Sequence, residues 1–586
     1  MVAAVVLISI AILALGYVFY GKFLSNIFGL DNKRITPANE MNDGVDYVPA
    51  KASMLLSQHF SAISAAGPIA GPILAAMWFG WLPALLWIIL GTIFIGGVHD
   101  FGSLIASVRT KASSIGEIVK KHMSKTSQVI FLIFVWFALV YVIIAFTDIT
   151  AQTFKTVASF KTGDTTTQLV IGPSVVVSSF LYLILGLVMG VLLYKFRMPL
   201  GLATAVFVPL VLVIIYLSTM LPAGMSDALM KMPVKGWEII LIVYCFIASL
   251  IPMWLLLQPR GYLGGWFLYV TMGVALLGAL FGGFVIKYPM LTLNGLASID
   301  NGKLVFPILF ITVACGACSG FHGIVSSGTT SKQIEKETDT RVVGYGAMIL
   351  EGIVAVLALA TVMMLAKSEV KDVPNLIFAK GIAQYIAMGA ETAIKLLTYI
   401  IPGLSAKGAY AAVYGFALTF ALTAFSTFVY DTLDVTTRLA RYILQELTGM
   451  THMFGAVIAT AITLALPLAF LMTTKNNAYL DAWPLFGTSN QLLASLILLA
   501  VSVWLSKTGK NTVIAFIPML FMFVVTLWAL VLQVIPFYKA IPGMKLSSLS
   551  PAAIISGACG SIIFILSIIV VVEGVKVLAV RKPNVI

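Results

Sequence analysis

The sequence is short of charge. Only 10% of its 586 residues are Asp, Glu, Lys or Arg, where soluble domains carry about 25%. A chain of this length would form about four soluble domains. Its 36 basic and 23 acidic side chains cannot clothe four such cores. The scarcity excludes a soluble enzyme. It also excludes a nucleic-acid-binding protein, toward which the net charge of +13 would otherwise point. Cysteine is scarce as well. Cys245, Cys315, Cys318 and Cys559 all lie in apolar stretches, which excludes a secreted disulfide scaffold. No His-Glu-x-x-His, nucleophile elbow or haem motif occurs, so no enzyme and no cofactor are expected.

What is present is apolar. Hydrophobic residues make up 60%, and the mean hydropathy is +1.03. The solvent for most of the chain is therefore lipid. A helix crosses a bilayer with about 20 apolar residues, and roughly fifteen stretches qualify. They run roughly over 1–20, 57–78, 84–108, 128–154, 174–194, 200–221, 238–258, 262–287, 304–327, 342–366, 408–430, 452–473, 485–506, 511–535 and 555–579. Met1–Tyr20 lacks the basic start of a secretory signal and reads as a span that begins outside. Segment 367–407 carries Lys367, Lys371, Lys380, Glu391 and Lys395 at helical spacing, and reads as amphipathic helices on, or dipping into, one face. With the N-terminus outside, inside loops hold 22 Lys and Arg and the remaining segments 14, which predicts a cytoplasmic C-terminus.

Three stretches look broken. His59–Pro72 carries Gly67-Pro68 and Gly71-Pro72 in mid-span. Proline removes a backbone donor and clashes with the preceding turn, and the residue before it leaves helical geometry. Unwound backbone at membrane depth survives only in protein or beside a cavity, where transporters use it to hold ions and anions. Cys315–Thr330 is rich in small and hydroxyl residues. Its Ser326 and Ser327 either complete a cation shell or bond to their own helix. Ser249–Trp254, with Leu257–Arg260, is a third proline-interrupted stretch, five spans after the first and in opposite orientation.

Ionisable groups inside spans are costly and usually functional or paired. They are His59, His99, Asp100, Asp148, His322 and Glu351. His99-Asp100 is either a structural pair or part of a proton relay. Cys315, Cys318 and His322 share one helical face and are zinc-ligand types, with His59 or His99 as a fourth, but no metal is expected. Asp431–Arg438 reads as a capped helix at the inner face. Gly487–Gln491 reads as an N-cap or a gate element.

Five motifs in order carry a resemblance: His59–Pro72, Gly96–Phe101 (GGVHDF), Trp254–Tyr262 (WLLLQPRGY), Cys315–Thr330 and Gly487–Ala494 (GTSNQLLA). Along nearly its whole length the chain resembles the carbon starvation protein A family. These are transporters of the bacterial and archaeal cytoplasmic membrane, linked to uptake of peptides and, in some cases, of pyruvate with protons. The resemblance implies an all-α polytopic membrane protein with the five-plus-five inverted repeat of the leucine transporter and extra peripheral helices. Its parts would be 1–56 (first span and loop), 57–221 (first repeat), 238–430 (second repeat, with 367–407 inserted) and 452–586 (peripheral helices). Spans 57–78 and 238–258 would be the paired discontinuous helices. Span 304–327 would supply Ser326 and Ser327 to an ion, as in sodium-coupled relatives. The expected function is alternating access by a secondary active transporter in the lipid bilayer. Ser61, Ser64, Gly67, Pro68, Gly71, Pro72, Trp254 and Gln258 would meet the peptide or carboxylate. His59, His99, Asp100, His322, Ser326, Ser327 and Glu351 would couple transport to a proton or, alternatively, to sodium. The competing readings are a membrane-embedded metal or redox protein built on Cys315, Cys318 and His322, and a channel.

Overall fold

The computed structural model describes residues 1–43, 47–162, 165–252, 254–400, 406–450, 452–475, 477–540 and 549–579. In lipid every backbone group must be satisfied within its own element, so these apolar runs become helices. They are α1 (Val2–Phe28), α2 (Ala52–Ile63), α3 (Gly67–Phe79), α4 (Trp81–Arg109), α5 (Ile115–His122), α6 (Lys125–Thr153), α7 (Gly172–Tyr194), α8 (Leu200–Ser218), α9 (Ala223–Lys231) and α10 (Val234–Leu250). There follow α11 (Leu257–Phe281), α12 (Val305–Thr312), α13 (Gly320–Gly328), α14 (Arg341–Met363), α15 (Pro374–Ile400), α16 (Ala406–Thr448), α17 (Met453–Thr473), α18 (Ala478–Lys507), α19 (Val513–Ala540) and α20 (Pro551–Ala579). Two short antiparallel hairpins are the only sheets among the described residues.

By length and apolarity, twelve described helices can cross a membrane, or fourteen with two bent pairs counted, against the roughly fifteen expected. Part of the difference is span 304–327, which is two short helices, α12 and α13, joined through 313–319. Segment 367–407 forms one long helix, α15, with a short turn before it; residues 401–405 lie outside the described residues. Stretch 238–258 is not a broken span. Its helix, α10, ends at Leu250, and Ile251–Leu256 connect it to α11. The sharp bend, 88°, lies at the other end of α10, against α9. The second discontinuous helix is therefore 305–328.

Burial separates core from periphery. Every residue in the apolar window of α18 is buried, against 22% for α1 and for α8. The outer helices show Leu7, Phe19, Leu90, Val213 and Ile517 to the surroundings, as a lipid-facing belt does. The centre shows a repeated packing scheme. α2 lies on α11, and α13 on α18; α10 lies on α16, and α17 on α6; α6 and α16 lie on one another. Loops expected on one face also meet there: Ala50 pairs with Ile334, and Arg34 and Arg109 share Glu337. On the opposite end, Lys287 bonds to the Met363 carbonyl and Lys155 to that of Met232.

Candidate functional site

The two discontinuous helices cross at their breaks. The first break is shorter than two Gly-Pro pairs predict. Ser64–Ala66 interrupt the helix, and α2 and α3 meet at 47°. Pro68 occupies the first turn of α3, where its missing N–H is not needed, and Pro72 is carried inside the helix. The glycines serve close approach. A Cβ on Gly67 would overlap the Cys315 side chain, and one on Gly71 would sit 2.6 Å from the Thr312 carbonyl oxygen.

The second break is held by side chains from elsewhere. Trp87 Nε1 donates to the Val313 carbonyl (3.1 Å), and Thr92 Oγ1 to that of Gly316 (3.0 Å). Gln491 Nε2 donates to the Phe310 carbonyl at 2.5 Å, closing the end of α12. Asn490 Oδ1 accepts from the Phe321 N–H (2.9 Å), capping the start of α13. Gly487–Gln491 is thus a cap for another helix, one third of the way along α18. Asn490→Ala leaves a buried backbone N–H without a partner and is expected to cost about 1–3 kcal/mol, read as a lower unfolding midpoint of the purified protein.

Directly beneath the crossing lies a chain of four buried titratable groups. Asp100 and His99 are on α4, His322 on α13 and Glu351 on α14, all fully buried. His99 Nδ1 is 2.6 Å from Asp100 Oδ1, and His322 Nδ1 is 2.8 Å from Asp100 Oδ2. His322 Nε2 is 3.0 Å from Glu351 Oε2. A carboxylate between two imidazoles fixes the proton of each on Nδ1, an assignment that follows from the network. His322 Nε2 and Glu351 Oε2 lie at ion-pair distance, and neither has a hydrogen-bond partner among the described residues. Glu351 Oε1 has no hydrogen-bond partner among the described residues. Tight helix contacts make the chain possible. Gly96 and Gly97 bring α4 against Ala317 and Tyr345, and π-helical turns at Thr92–Gly96 and Arg341–Tyr345 precede the two carboxylates. His59, on α2, bonds instead to Thr330 Oγ1 (2.9 Å) through Nδ1, and its Nε2 has no partner among the described residues.

A second buried cluster was not singled out by sequence. Arg260, on α11, is the bulkiest fully buried side chain described. Its Nη2 is 2.6 Å from Asp431 Oδ1, and its Nη1 meets Asp434 Oδ2 and the Tyr244 hydroxyl. Ser61 Oγ donates to Asp431, and Tyr244 to Asp434 at 2.8 Å. Asp431–Arg438 is therefore not a capped helix at the inner face but the buried middle of α16. Further along, Arg438 and Arg441 donate to the carbonyls of Ala248, Ser249 and Ile251, closing the C-terminus of α10. The signal available in sequence was the spacing Asp431, Asp434, Arg438, Arg441, one face of a helix continuous with an apolar span.

A cavity of about 370 Å³ opens between α5, α6, α13 and α16, with Ser114, Ser327, Thr329, Lys332 and Glu446 on its wall. Thr329 also lines a narrow cleft that continues past Gln58, His59 and Thr330 to Asp431. The cleft thus leads from the cavity to the broken helix and to Asp431 of the second buried cluster.

The remaining expected residues divide. Gln258 does not line the cleft, which its neighbours Leu257 and Gly261 do; it accepts instead from the Tyr194 hydroxyl at an exposed site. Trp254 is 39% exposed, in the connection before α11, and packs near Tyr194 outside the cleft. Ser327 Oγ donates to the carbonyl of Gly323 on its own helix, while Ser326 Oγ and Ser64 Oγ are buried with no partner among the described residues. Asp148 accepts from the Tyr479 N–H and closes the start of α18. Among the described residues no three His, Cys, Asp or Glu converge as metal ligands. Cys315 faces Asn490 and Gly67, and both nitrogens of His322 face carboxylates.

The carbon starvation protein CstA family model matches residues 1–407 and 382–529. The chain belongs to this family. Among relatives, a peptide transporter CstA of Campylobacter jejuni is 33% identical over 91% of this chain and 80% of its own. A peptide transporter CstA of Bacillus subtilis is 29% identical over 98% and 96%. The pyruvate/proton symporter BtsT of Escherichia coli is 29% identical over 93% and 82%. A solved manganese transporter of Eremococcus coleocola is 13% identical and covers 92% of this chain and 99% of its own, with a TM-score of 0.47. This CstA-family chain is thus a mostly helical, multi-pass membrane protein whose relatives are named as transporters.

Proposed function

We propose that this CstA-family protein is a proton-coupled importer of peptides or small carboxylates such as pyruvate, working by alternating access. The observation that carries the reading is the buried 3.0 Å contact between His322 and Glu351, held between three helices, one of them discontinuous. Its relatives are named for peptides and for pyruvate with protons. The substrate occupies the 370 Å³ cavity and the cleft at His59 and Gln58. Gln58, His59, Thr330 and Asp431 form the inner wall, Ser61 braces Asp431, and Gly67, Pro68, Gly71 and Pro72 let the two breaks meet beside it. Movement of α13 against α4 and α14 makes or parts the proton contacts as access changes.

The repeated packing supports two five-helix repeats with boundaries other than 57–221 and 238–430. The first comprises α2–α3, α4, α6, α10 and α11, and the second α12–α13, α14, α16, α17 and α18. Helices α7–α9 are inserted in the first. Basic loops favour a cytoplasmic face at the cavity end, with the N-terminus outside, in the cytoplasmic membrane. Residues 580–586, expected inside, lie outside the described residues. A sodium-coupled form of the same cycle draws on the unpartnered hydroxyls of Ser64 and Ser326.

Uptake of labelled pyruvate and of short peptides into proteoliposomes tests this. A pH gradient, acid outside, is expected to drive accumulation with sodium absent. Accumulation driven by sodium alone would replace the proton, and flux that never exceeds equilibration would make the protein a channel.

A further inference from the structure

A cavity of about 740 Å³ lies at the loop end of α1, α4, α5 and α18, away from the crossing of the broken helices. Its volume is within the range of about 300–1,000 Å³ that ligand pockets occupy. Five cationic side chains line it, Arg34, Arg109, Lys111, Lys121 and Lys510, against two carboxylates, Glu40 and Glu337. Part of this charge is used. Arg34 and Arg109 share Glu337, Arg109 also closes the end of α1 through the Phe28 and Gly29 carbonyls, and Lys510 bonds to Ile27. Lys111 and Lys121 are exposed, and neither makes an ion pair or a side-chain hydrogen bond among the described residues. His122 Nε2 is buried and has no partner among the described residues.

The charges strain one another. Burial, then Lys121 and Lys507, hold His122 below the ordinary histidine range. Burial, then Arg109 and Arg34, lower Lys510. An anion in the cavity relieves both. The surroundings select its source. The cavity sits where three membrane-crossing helices end, its floor includes the buried Trp504, and the apolar Ile35, 75% exposed, stands at its edge. Basic pockets between helices at this level recognise anionic lipid headgroups. We propose that this cavity binds the phosphate-bearing headgroup of an anionic membrane phospholipid, with Lys111, Lys121 and His122 as its free donors.

The test uses the full chain purified in detergent and titrated with phosphatidylglycerol, phosphatidylcholine or inorganic phosphate. Bound lipid is counted by native mass spectrometry and the unfolding midpoint is recorded. Phosphatidylglycerol is expected to bind and to raise the midpoint where phosphatidylcholine does not. Lys111→Gln with Lys121→Gln is expected to weaken that binding about thirtyfold. Lys195→Gln with Arg197→Gln, an equal loss of exposed charge elsewhere, should leave it unchanged. Equal midpoints of the two double variants in phosphatidylcholine show that both fold. Equal binding of both lipids, or equal weakening by both double variants, would overturn the proposal. A phosphate effect as large as that of phosphatidylglycerol would overturn the lipid as source.

Discussion

Glu351→Gln is expected to lower proton-driven uptake about a hundredfold or more, the scale on which a positioned proton-transfer group acts. The amide keeps the shape of the carboxylate but cannot hold and release a proton. His322 then faces a neutral amide across the 3.0 Å contact, and that amide cannot take up and pass on a proton. Exchange of labelled for unlabelled substrate across the membrane needs no net proton movement and should survive. That split separates lost coupling from lost binding. The unfolding midpoint should fall far less than uptake, because the amide fills the same buried volume and still faces His322. A variant that still concentrates substrate under a pH gradient would move coupling elsewhere, with the Asp431 cluster the next site to test.

Arg260→Met is expected to be the most damaging substitution for the fold. Breaking a buried ion pair by removing one partner costs about 3–5 kcal/mol, because the other charge stays buried without compensation. Here two carboxylates, Asp431 and Asp434, would be stranded, and α11 would lose its grip on α16. The purified variant should show little folded protein or a strongly lowered unfolding midpoint. Adding Asp431→Asn and Asp434→Asn removes the stranded charges while keeping acceptors for Ser61 and Tyr244. The triple variant should therefore recover most of the lost stability. If it folds well but does not transport, the cluster acts in the cycle as well as in the fold. If Arg260→Met alone folds as the native chain does, the three charges do not hold these helices together.

Much of the site was legible because membrane chemistry is unforgiving. An ionisable residue in an apolar span needs a reason, so His99, Asp100, His322 and Glu351 stood out one by one. Beyond the adjacent His99-Asp100 their pairing did not, since they lie on three helices up to 252 positions apart in the chain (99 to 351). The proline rule found the first break at His59–Pro72 but misassigned its partner to 238–258. Pro252 follows the end of α10, where arginines of α16 close the carbonyls. The true partner, 305–328, has Pro307 before its break and none within it. Its break persists because Trp87, Thr92, Asn490 and Gln491 satisfy the freed backbone groups, and partners that distant leave no local signature.

The sequence by itself determined the solvent and the helical class, and it predicts the side of each loop. These follow from composition, from run length and from charge asymmetry, which are sums over neighbouring residues. The family, too, was carried by motifs in order along the chain. Only the tertiary structure decided which break faces which, that Asp431 and Asp434 are buried against Arg260, and that four titratable groups form one chain. Those are distances between residues remote in sequence. In a bundle whose helices are nearly all apolar, the few polar contacts that fix them cannot be read from any one helix.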